Sequence, residues 1–172
     1  MRSIILYIAT SVDGYIAREN GAVDWLFTEG DYGYESFYHS IDTTLMGNTT
    51  YQQVLTFGDF PYKDKINYVF SKSIAKDSDQ NVIFIHENIV KFTKNLKNGD
   101  AGAIWLIGGS QIISQFLTAG LIDELIIFIH PIFLFAGIPL ISTDTTSLGS
   151  KLHLLDLKKY ETGIVQLHYE VL

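Results

Sequence analysis

The sequence predicts an α/β fold with a mostly parallel sheet, helices on both faces and an antiparallel pair of strands at the C-terminal edge. Short apolar runs alternate with helix-like segments up to residue 130, and no long linker interrupts them. Two further strand-like runs close the chain around Glu161-Thr162-Gly163. Residues 1–172 are therefore expected to form a single domain.

The elements follow from local patterns along the chain. Six apolar runs bounded by turn residues are predicted to be strands, at 3–10, 43–46, 67–70, 82–85, 103–107 and 124–130. The segments predicted to be helices are 33–41, 49–55, 88–96 and 110–119. In the last of these, Ile112, Ile113 and Phe116 recur at helical spacing, and Gly120 follows as a stop signal. The C-terminal hairpin is predicted at 152–160 and 164–171.

The composition excludes several classes of protein. The absence of cysteine excludes disulfide frameworks, thiolate zinc sites and cysteine nucleophiles, and it suits a cytoplasmic location. Twelve Lys and Arg against nineteen Asp and Glu give a net charge of −7, which argues against a nucleic-acid partner. The five histidines lack metal-ligand spacing, so structural roles and no metal site are predicted.

The apolar stretch 125–141 does not predict a membrane span. It contains His130, Pro131, Gly137 and Pro139, and it falls short of the roughly 20 apolar residues that a spanning helix needs. Two buried strands joined by a bend are predicted instead, and no membrane partner is expected.

Two glycine junctions between predicted strands and helices are candidate phosphate-binding sites. Ile107-Gly108-Gly109-Ser110 leads into the last helix, and Met46-Gly47-Asn48-Thr49 leads into the second. Glycine permits close approach of a ligand to the backbone, and the free N–H groups of a helix start favour anions. The carboxyl ends of parallel strands share one edge, so both junctions can face one ligand. A plain turn or helix cap gives the same patterns.

Two other segments carry candidate ligand-binding chemistry. Ser71-Lys72-Ser73 offers two hydroxyls and an ammonium group suited to a phosphate, although a solvated strand end has the same composition. Trp25, Tyr34 and Tyr38 lie in a segment rich in rings and carboxylates, which suits a flat nitrogen heterocycle. The alternative is that these rings belong to the core.

Four ordered motifs resemble those of the dihydrofolate reductase-like superfamily. They are Ile-Ala-Thr-Ser-Val-Asp-Gly-Tyr-Ile-Ala at 8–17, Met-Gly-Asn-Thr-Thr-Tyr at 46–51, Phe-Ser-Lys at 70–72 and Ile-Gly-Gly-Ser at 107–110. Within the superfamily, the chain is most similar to the reductase domain of the bifunctional riboflavin-biosynthesis deaminase-reductase and its stand-alone relatives. The resemblance covers nearly the whole chain. It implies a three-layer α/β/α sandwich on a mixed sheet, and hydride transfer from NADPH to a heterocycle or its sugar appendage.

The resemblance also implies roles for individual residues. The implied cofactor contacts are Ala9, Asp13 and Gly14 on the nicotinamide side, Gly47, Asn48 and Thr49 at one helix start, Ser71 and Lys72 at the adenosine 2′-phosphate, and Ile107, Gly108, Gly109, Ser110, Gln111 and Ile112 at the pyrophosphate. Thr49 is expected to cap its helix. Asp31 or Glu35 is expected to be the catalytic carboxylate, and Trp25, Tyr34 and Tyr38 are expected to contact the substrate.

The departures from the family pattern limit these expectations. Asn48 stands where relatives usually carry an arginine, so Lys72 is the cation left for NADPH, and NADH is possible. Phe135 replaces a glycine common in relatives. Without cysteines the chain can be the reductase half only. It is expected to be a cytoplasmic, homodimeric reductase of a pterin-like or ribosylaminopyrimidine compound, and the alternative is a non-catalytic small-molecule binding protein.

Overall fold

The computed structural model describes residues 1–142 and 149–172. Its elements in chain order are β1 (Ile4–Ser11), β2 (Tyr15–Ala17), α1 (Tyr34–Ser40), β3 (Ile41–Gly47), α2 (Asn48–Thr56), β4 (Ile66–Phe70), β5 (Ile83–Ile85), α3 (Ile89–Lys97), β6 (Ala103–Gly108), α4 (Ser110–Thr118), β7 (Glu124–His130), β8 (Ile138–Pro139), β9 (Leu152–Lys159) and β10 (Val165–Val171).

The main sheet has eight strands in the order β5-β4-β3-β6-β1-β7-β10-β9. The strands from β5 to β7 in this order are all parallel, whereas β10 is antiparallel to both β7 and β9. The sheet is therefore mixed, with a C-terminal antiparallel hairpin at one edge, as the sequence predicts. The carboxyl ends of β1, β3, β4, β6 and β7 consequently meet along a single edge.

Alternation of side chains along β1 and β6 divides the molecule into three layers. Ile4 and Ile104 belong to the core on the side of α4, where they pack in one cluster with the buried Phe116. On the other side of the sheet, Ile5 and Trp105 pack in a cluster with Phe37 of α1. Helices thus cover both faces, and the predicted α/β/α sandwich is confirmed.

A short second sheet lies outside the predicted architecture. Tyr15 of β2 pairs with Pro139 of β8, and Ala17 pairs with Ile138, in an antiparallel arrangement. The apolar stretch 125–141 does contain two strands joined by a bend, but only β7 joins the main sheet. A strand of two or three residues is too short to show an alternating pattern, so the sequence does not predict β2.

Tyr51 anchors α2 to the segment that precedes β5. Its ring is 1% exposed, and its hydroxyl donates a hydrogen bond to Asp79 Oδ2 at 2.6 Å. Asp79 Oδ1 also accepts the backbone N–H groups of Asn81 and Val82, at 2.8 and 3.0 Å. Burial alone would raise the pKa of Asp79, but these hydrogen bonds lower it below its usual value. This contact therefore contributes stability above the unfolded-state pKa and loses it in acid.

We predict that Tyr51→Phe lowers the free energy of unfolding at pH 7 by about 1–2 kcal/mol, because it removes a hydrogen bond to a carboxylate. Urea denaturation measures the change. The difference from wild type should shrink only as the pH falls below about 4, through the lowered pKa of Asp79. Tyr68→Phe is the matched control, since the Tyr68 hydroxyl makes no hydrogen bond to the described residues. Equal losses in the two variants would contradict the prediction.

Candidate functional site

A cavity of about 1100 Å³ opens at the carboxyl edge of the parallel strands. It exceeds the roughly 1,000 Å³ that bounds ordinary single-ligand pockets. The predicted site residues that line it are Ala9, Asp31, Tyr34, Gly47, Asn48, Thr49, Ser71, Lys72, Ile107, Gly109, Ser110, Gln111 and Ile112. The predicted site residues outside the lining are Asp13, Gly14, Trp25, Glu35, Tyr38 and Gly108. The fold thus gathers the two glycine junctions, the Ser71-Lys72 segment and Asp31 around one space.

Helices α2 and α4 both begin at this cavity without a side-chain cap. Their N-cap residues are Gly47 and Gly109, and neither helix start has a capping hydrogen bond from a side chain. By contrast, α3 begins at Asn88, whose side chain accepts the N–H of Lys91 at 3.1 Å. The first-turn N–H groups of α2 and α4 are therefore available to an anion at the cavity.

The expectation that Thr49 caps its helix is wrong. The helix begins one residue earlier than predicted, at Asn48, and Gly47 takes the N-cap position. Thr49 therefore lies within the first turn. Glycine has no side chain that could accept an N–H group, so this helix start keeps its donors free.

Glycine allows the two junctions to approach each other closely. A Cβ atom on Gly47 would lie 3.0 Å from Ile112 Cγ1, and one on Gly109 would lie 3.2 Å from Thr50 Oγ1. Gly108 has a φ of 122°, and its peptide bond to Gly109 is cis. Residues that carry a side chain rarely adopt this φ. Gly108 therefore allows the backbone conformation of the junction, although it does not line the cavity.

The hydroxyl of Ser110 is a buried polar group without a partner. Ser110 is the first residue of α4 and lines the cavity, and its Oγ has no hydrogen-bond partner among the described residues. Buried hydroxyls are normally hydrogen-bonded, because an unpaired one costs about 1–3 kcal/mol. A ligand phosphate oxygen at this helix start would satisfy it, together with the free N–H groups.

The Ser71-Lys72 segment lies at the end of β4. Ser71 Oγ accepts the N–H groups of Ser73 and Ile74 at 3.3 and 3.2 Å, which fixes the turn. Lys72 lines the cavity and forms no ion pair with the described residues. Its ammonium group is therefore free to meet an anionic ligand.

A cluster of aromatic rings forms one wall of the cavity. Tyr7 stacks on Phe37 with ring centroids 4.1 Å apart, and it contacts Phe128 at 4.7 Å. Burial raises the pKa of Tyr7 well above its usual value. Tyr7 is not among the site residues predicted from the sequence, although its two-residue spacing from Ala9 predicts that both side chains lie on the same face of β1.

Trp25 and Tyr38 take other positions. Trp25 is 4% exposed and packs edge-on against His130, with ring centroids 5.3 Å apart. The hydroxyl of Tyr38 donates a hydrogen bond to Asp64. Of the three predicted substrate contacts, only Tyr34 reaches the lining of the cavity.

The two candidate carboxylates differ in position. Asp31 lines the cavity, and its oxygens accept the N–H groups of Gly33 and Glu35 at 3.0 and 2.7 Å. Asp31 thus satisfies backbone N–H donors at the start of α1. Burial is the main cause of the raised pKa of Tyr7, and the negative charge of Asp31 is a smaller cause. Glu35 lies outside the lining, so Asp31 is the better placed of the pair.

Asp13 fixes the connection between β7 and β8. Its carboxylate accepts the backbone N–H groups of Leu134 and Phe135 at 3.1 and 2.8 Å, and the hydroxyl of Ser11 at 2.6 Å. Burial acts to raise the pKa of Asp13, and these hydrogen bonds outweigh it and lower the pKa. In this arrangement Asp13 shapes a loop, whereas the resemblance implies a cofactor contact.

Comparison with known proteins identifies the family. The family model described as the RibD C-terminal domain matches residues 2–166. The chain belongs to this family. Two relatives from Bacillus subtilis (strain 168) are similar to it: the uncharacterized protein YwjB is 42% identical over 98% of this chain and 97% of its own length, and the uncharacterized protein YyaP is 33% identical over 98% and 94%.

Solved structures share the fold of this RibD C-terminal domain. A protein from Shewanella sp. PV-4 with a riboflavin biosynthesis description has a TM-score of 0.85 and 28% identity, over 99% of both chains. A deaminase/5-amino-6-(5-phosphoribosylamino)uracil reductase from Thermotoga maritima has a TM-score of 0.75 and 16% identity, over 99% of this chain and 57% of that one. Dihydrofolate reductase from Enterococcus faecalis, complexed with NADP(H), has a TM-score of 0.68 and 14% identity, over 98% and 96%.

In residues 1–142 and 149–172, no group of three or more His, Cys, Asp or Glu side chains is placed to hold a metal ion. Within the same ranges, no helix has the length and apolar character needed to cross a membrane.

We predict that Gly108→Ala lowers the free energy of unfolding by about 1–3 kcal/mol, because alanine is strained at a φ of 122°. Its Cβ would also lie 3.2 Å from Ile113 Cδ1. Thermal or urea denaturation measures the loss. Gly99→Ala is the control, because Gly99 lacks a positive φ and its added Cβ comes no closer than 3.4 Å to Leu96 O. A Gly108→Ala variant as stable as Gly99→Ala would refute this account.

Proposed function

We propose that this protein is an NADPH-dependent reductase that transfers a hydride to a pterin-like or ribosylaminopyrimidine substrate. The observation that carries the proposal is the pair of uncapped helix starts, with the unpaired Ser110 hydroxyl, opening on the same cavity as the Tyr7 ring wall. One end of the cavity suits phosphate groups and the other suits a flat ring. A dinucleotide beside a heterocycle needs both.

The residues present fit the cofactor. The N–H groups at the starts of α2 and α4 and the Ser110 hydroxyl would bind the pyrophosphate oxygens. Lys72 would meet the adenosine 2′-phosphate, and Ala9 would line the nicotinamide side. The dihydrofolate reductase that shares this fold is complexed with NADP(H), which supports the assignment. When bound, the nicotinamide supplies the hydride.

The remaining lining residues would position the acceptor. The Tyr7 ring, held by its stack on Phe37, offers a flat apolar surface for a heterocycle. Asp31 carries a negative charge at the cavity and would attract ring N–H or amino groups of the substrate. The uracil reductase among the fold neighbours and the family membership support a pyrimidine-type acceptor.

A second candidate function is a small-molecule binding protein without catalysis. Both oxygens of Asp31 already accept backbone N–H groups, so this carboxylate has a structural task that needs no proton transfer. Burial also raises the pKa of Tyr7 and of Tyr34, which makes both hydroxyls weak acids. Cofactor binding without turnover would favour this function.

We further propose that the protein acts as a cytoplasmic homodimer. Phe133 and Phe135 support the dimer, because they stack on each other at 6.0 Å while 57% and 85% exposed.

We predict that NADPH quenches the fluorescence of Trp105, a lining residue, and that Lys72→Ala weakens NADPH binding about tenfold. NADH has no 2′-phosphate, so its affinity should not change. A fluorescence titration of each nucleotide gives the dissociation constants. Lys94→Ala is the control because Lys94 is exposed on α3 and does not line the cavity. Equal effects of the two substitutions would rule out the assigned role of Lys72.

We predict that Asp31→Asn reduces kcat with a ribosylaminouracil phosphate or dihydrofolate by about 100-fold, while Glu35→Gln leaves it within about twofold. NADPH oxidation at 340 nm in the presence of the acceptor follows the reaction. Asn keeps one of the two acceptor oxygens at the helix start, so Asp31→Asn should lose no more than about 1–2 kcal/mol of stability and stay folded in the assay. Turnover that survives in Asp31→Asn would show that Asp31 only stabilises α1.

A further inference from the structure

His130 is the last residue of β7, and its side chain lines the cavity. In the register of β1 and β7, Ala9 is paired with Phe128 and Ser11 with His130. Alternate residues of a strand share a face, and the contact between the Tyr7 and Phe128 rings identifies this face. His130 therefore lies on the same face as the ring wall, nearer the carboxyl edge.

The imidazole of His130 is enclosed by apolar rings. The residue is 4% exposed, and the rings of Trp25 and Phe27 each meet it edge-on at centroid distances of 5.3 Å. Burial lowers the pKa of His130, and a hydrogen bond with the Phe128 carbonyl opposes this shift only in part. The neutral imidazole is therefore the form present near pH 7.

The backbone fixes which ring nitrogen carries the proton. Nδ1 of His130 lies 3.2 Å from the carbonyl oxygen of Phe128, and a carbonyl oxygen can only accept. The proton thus sits on Nδ1, and Nε2 presents a lone pair. No described residue donates a hydrogen bond to Nε2. His130 lines the cavity, so this acceptor is available to a ligand that brings an N–H or O–H group.

Tyr7 supplies the complementary group on the same face. Its hydroxyl makes no hydrogen bond to the described residues, and burial raises its pKa, so it stays protonated at neutral pH. The wall thus presents a hydroxyl donor and an imidazole acceptor, with the Phe128 ring beside Tyr7. A pyrimidinedione ring carries both carbonyl oxygens and ring N–H groups, and it has a flat face for stacking.

We propose that His130 determines the substrate specificity of this cavity by accepting, through Nε2, a hydrogen bond from a ring N–H of a pyrimidinedione-type heterocycle. The inference rests on the proposed reductase function, because it concerns the ligand that lies beside the cofactor. Nε2 of His130 is the group that would distinguish a ring with a free N–H from the same ring alkylated at nitrogen. A site built to hydrogen-bond such a group discriminates strongly against a ligand that lacks it.

The test uses two ligands and the full-length protein saturated with NADP⁺, which prevents turnover. One ligand is 5,6-diaminouracil, and the other is its 1,3-dimethyl derivative, in which neither ring nitrogen carries a hydrogen. Calorimetry gives both dissociation constants. Wild type is expected to bind the unmethylated uracil about 10-fold to 100-fold more tightly.

Substitutions at His130 then identify the acceptor. His130→Phe keeps a flat ring of similar size without the acceptor, and it is expected to bind the two uracils within about threefold of each other. His130→Gln retains an acceptor oxygen and should recover part of the discrimination. His153→Gln is the matched control, because His153 lies exposed on β9, and it should behave as wild type. The affinity for NADP⁺ should be unchanged in all three variants, which a general structural defect would not allow.

The outcomes separate the two proposals. If NADP⁺ and NADPH fail to bind wild type, the proposed function itself fails. If the cofactor binds but wild type binds the two uracils equally or binds neither, the role of His130 is refuted while the cofactor site stands. Discrimination that persists in His130→Phe, or a loss of NADP⁺ affinity in both His130 variants, also overturns the inference. If His130→Phe does not fold, His130→Asn takes its place, because its shorter side chain withdraws the acceptor. Full wild-type discrimination by His130→Asn would then overturn the role of His130.

Discussion

The candidate site depends on the close approach of the two junctions that lead from β3 into α2 and from β6 into α4. In this approach a Cβ atom on Gly47 would crowd Ile112, and one on Gly109 would crowd Thr50. Because glycine occupies both N-cap positions, neither helix start has a side chain that satisfies its N–H groups. The same packing that joins the strands to their helices therefore leaves donors facing the cavity.

The two faces of the sheet serve different purposes. On the α4 side, fully buried aliphatic residues such as Leu6 and Leu106 form a continuous core, which fixes the strand register. On the α1 side, Tyr7 and Trp105 bring large rings to the cavity instead. Rings with polar tips allow this face to pack and still offer hydrogen bonds to a ligand. The α1 side therefore supplies the ring wall of the cavity, whereas α4 contributes the helix start that faces it.

Several buried polar groups at the site are incompletely satisfied. The Ser110 hydroxyl has no partner among the described residues, and the His130 imidazole has one for Nδ1 alone. Away from the cavity, the Thr44 hydroxyl donates to Asn67 Oδ1 at 2.7 Å, whereas Trp25 Nε1 and Thr93 Oγ1 are also buried without a partner among the described residues. Of these unpartnered groups, the Ser110 hydroxyl and the His130 imidazole line the cavity, where a ligand can complete them.

The sequence by itself determined the four helices, the eight strands of the mixed main sheet with its C-terminal hairpin and the two glycine junctions, but not the short strand β2 or its pairing with β8. Periodicity and glycine placement are local properties, and strands of two or three residues show no periodicity. It could not reveal that Gly47 takes the cap position assigned to Thr49, since helix ends shift by one residue without changing the pattern. Only the tertiary structure showed that Asp13 holds Phe135, 122 residues away, and that His130 lies in the cavity. These features depend on which strands become neighbours, and a local pattern does not specify that.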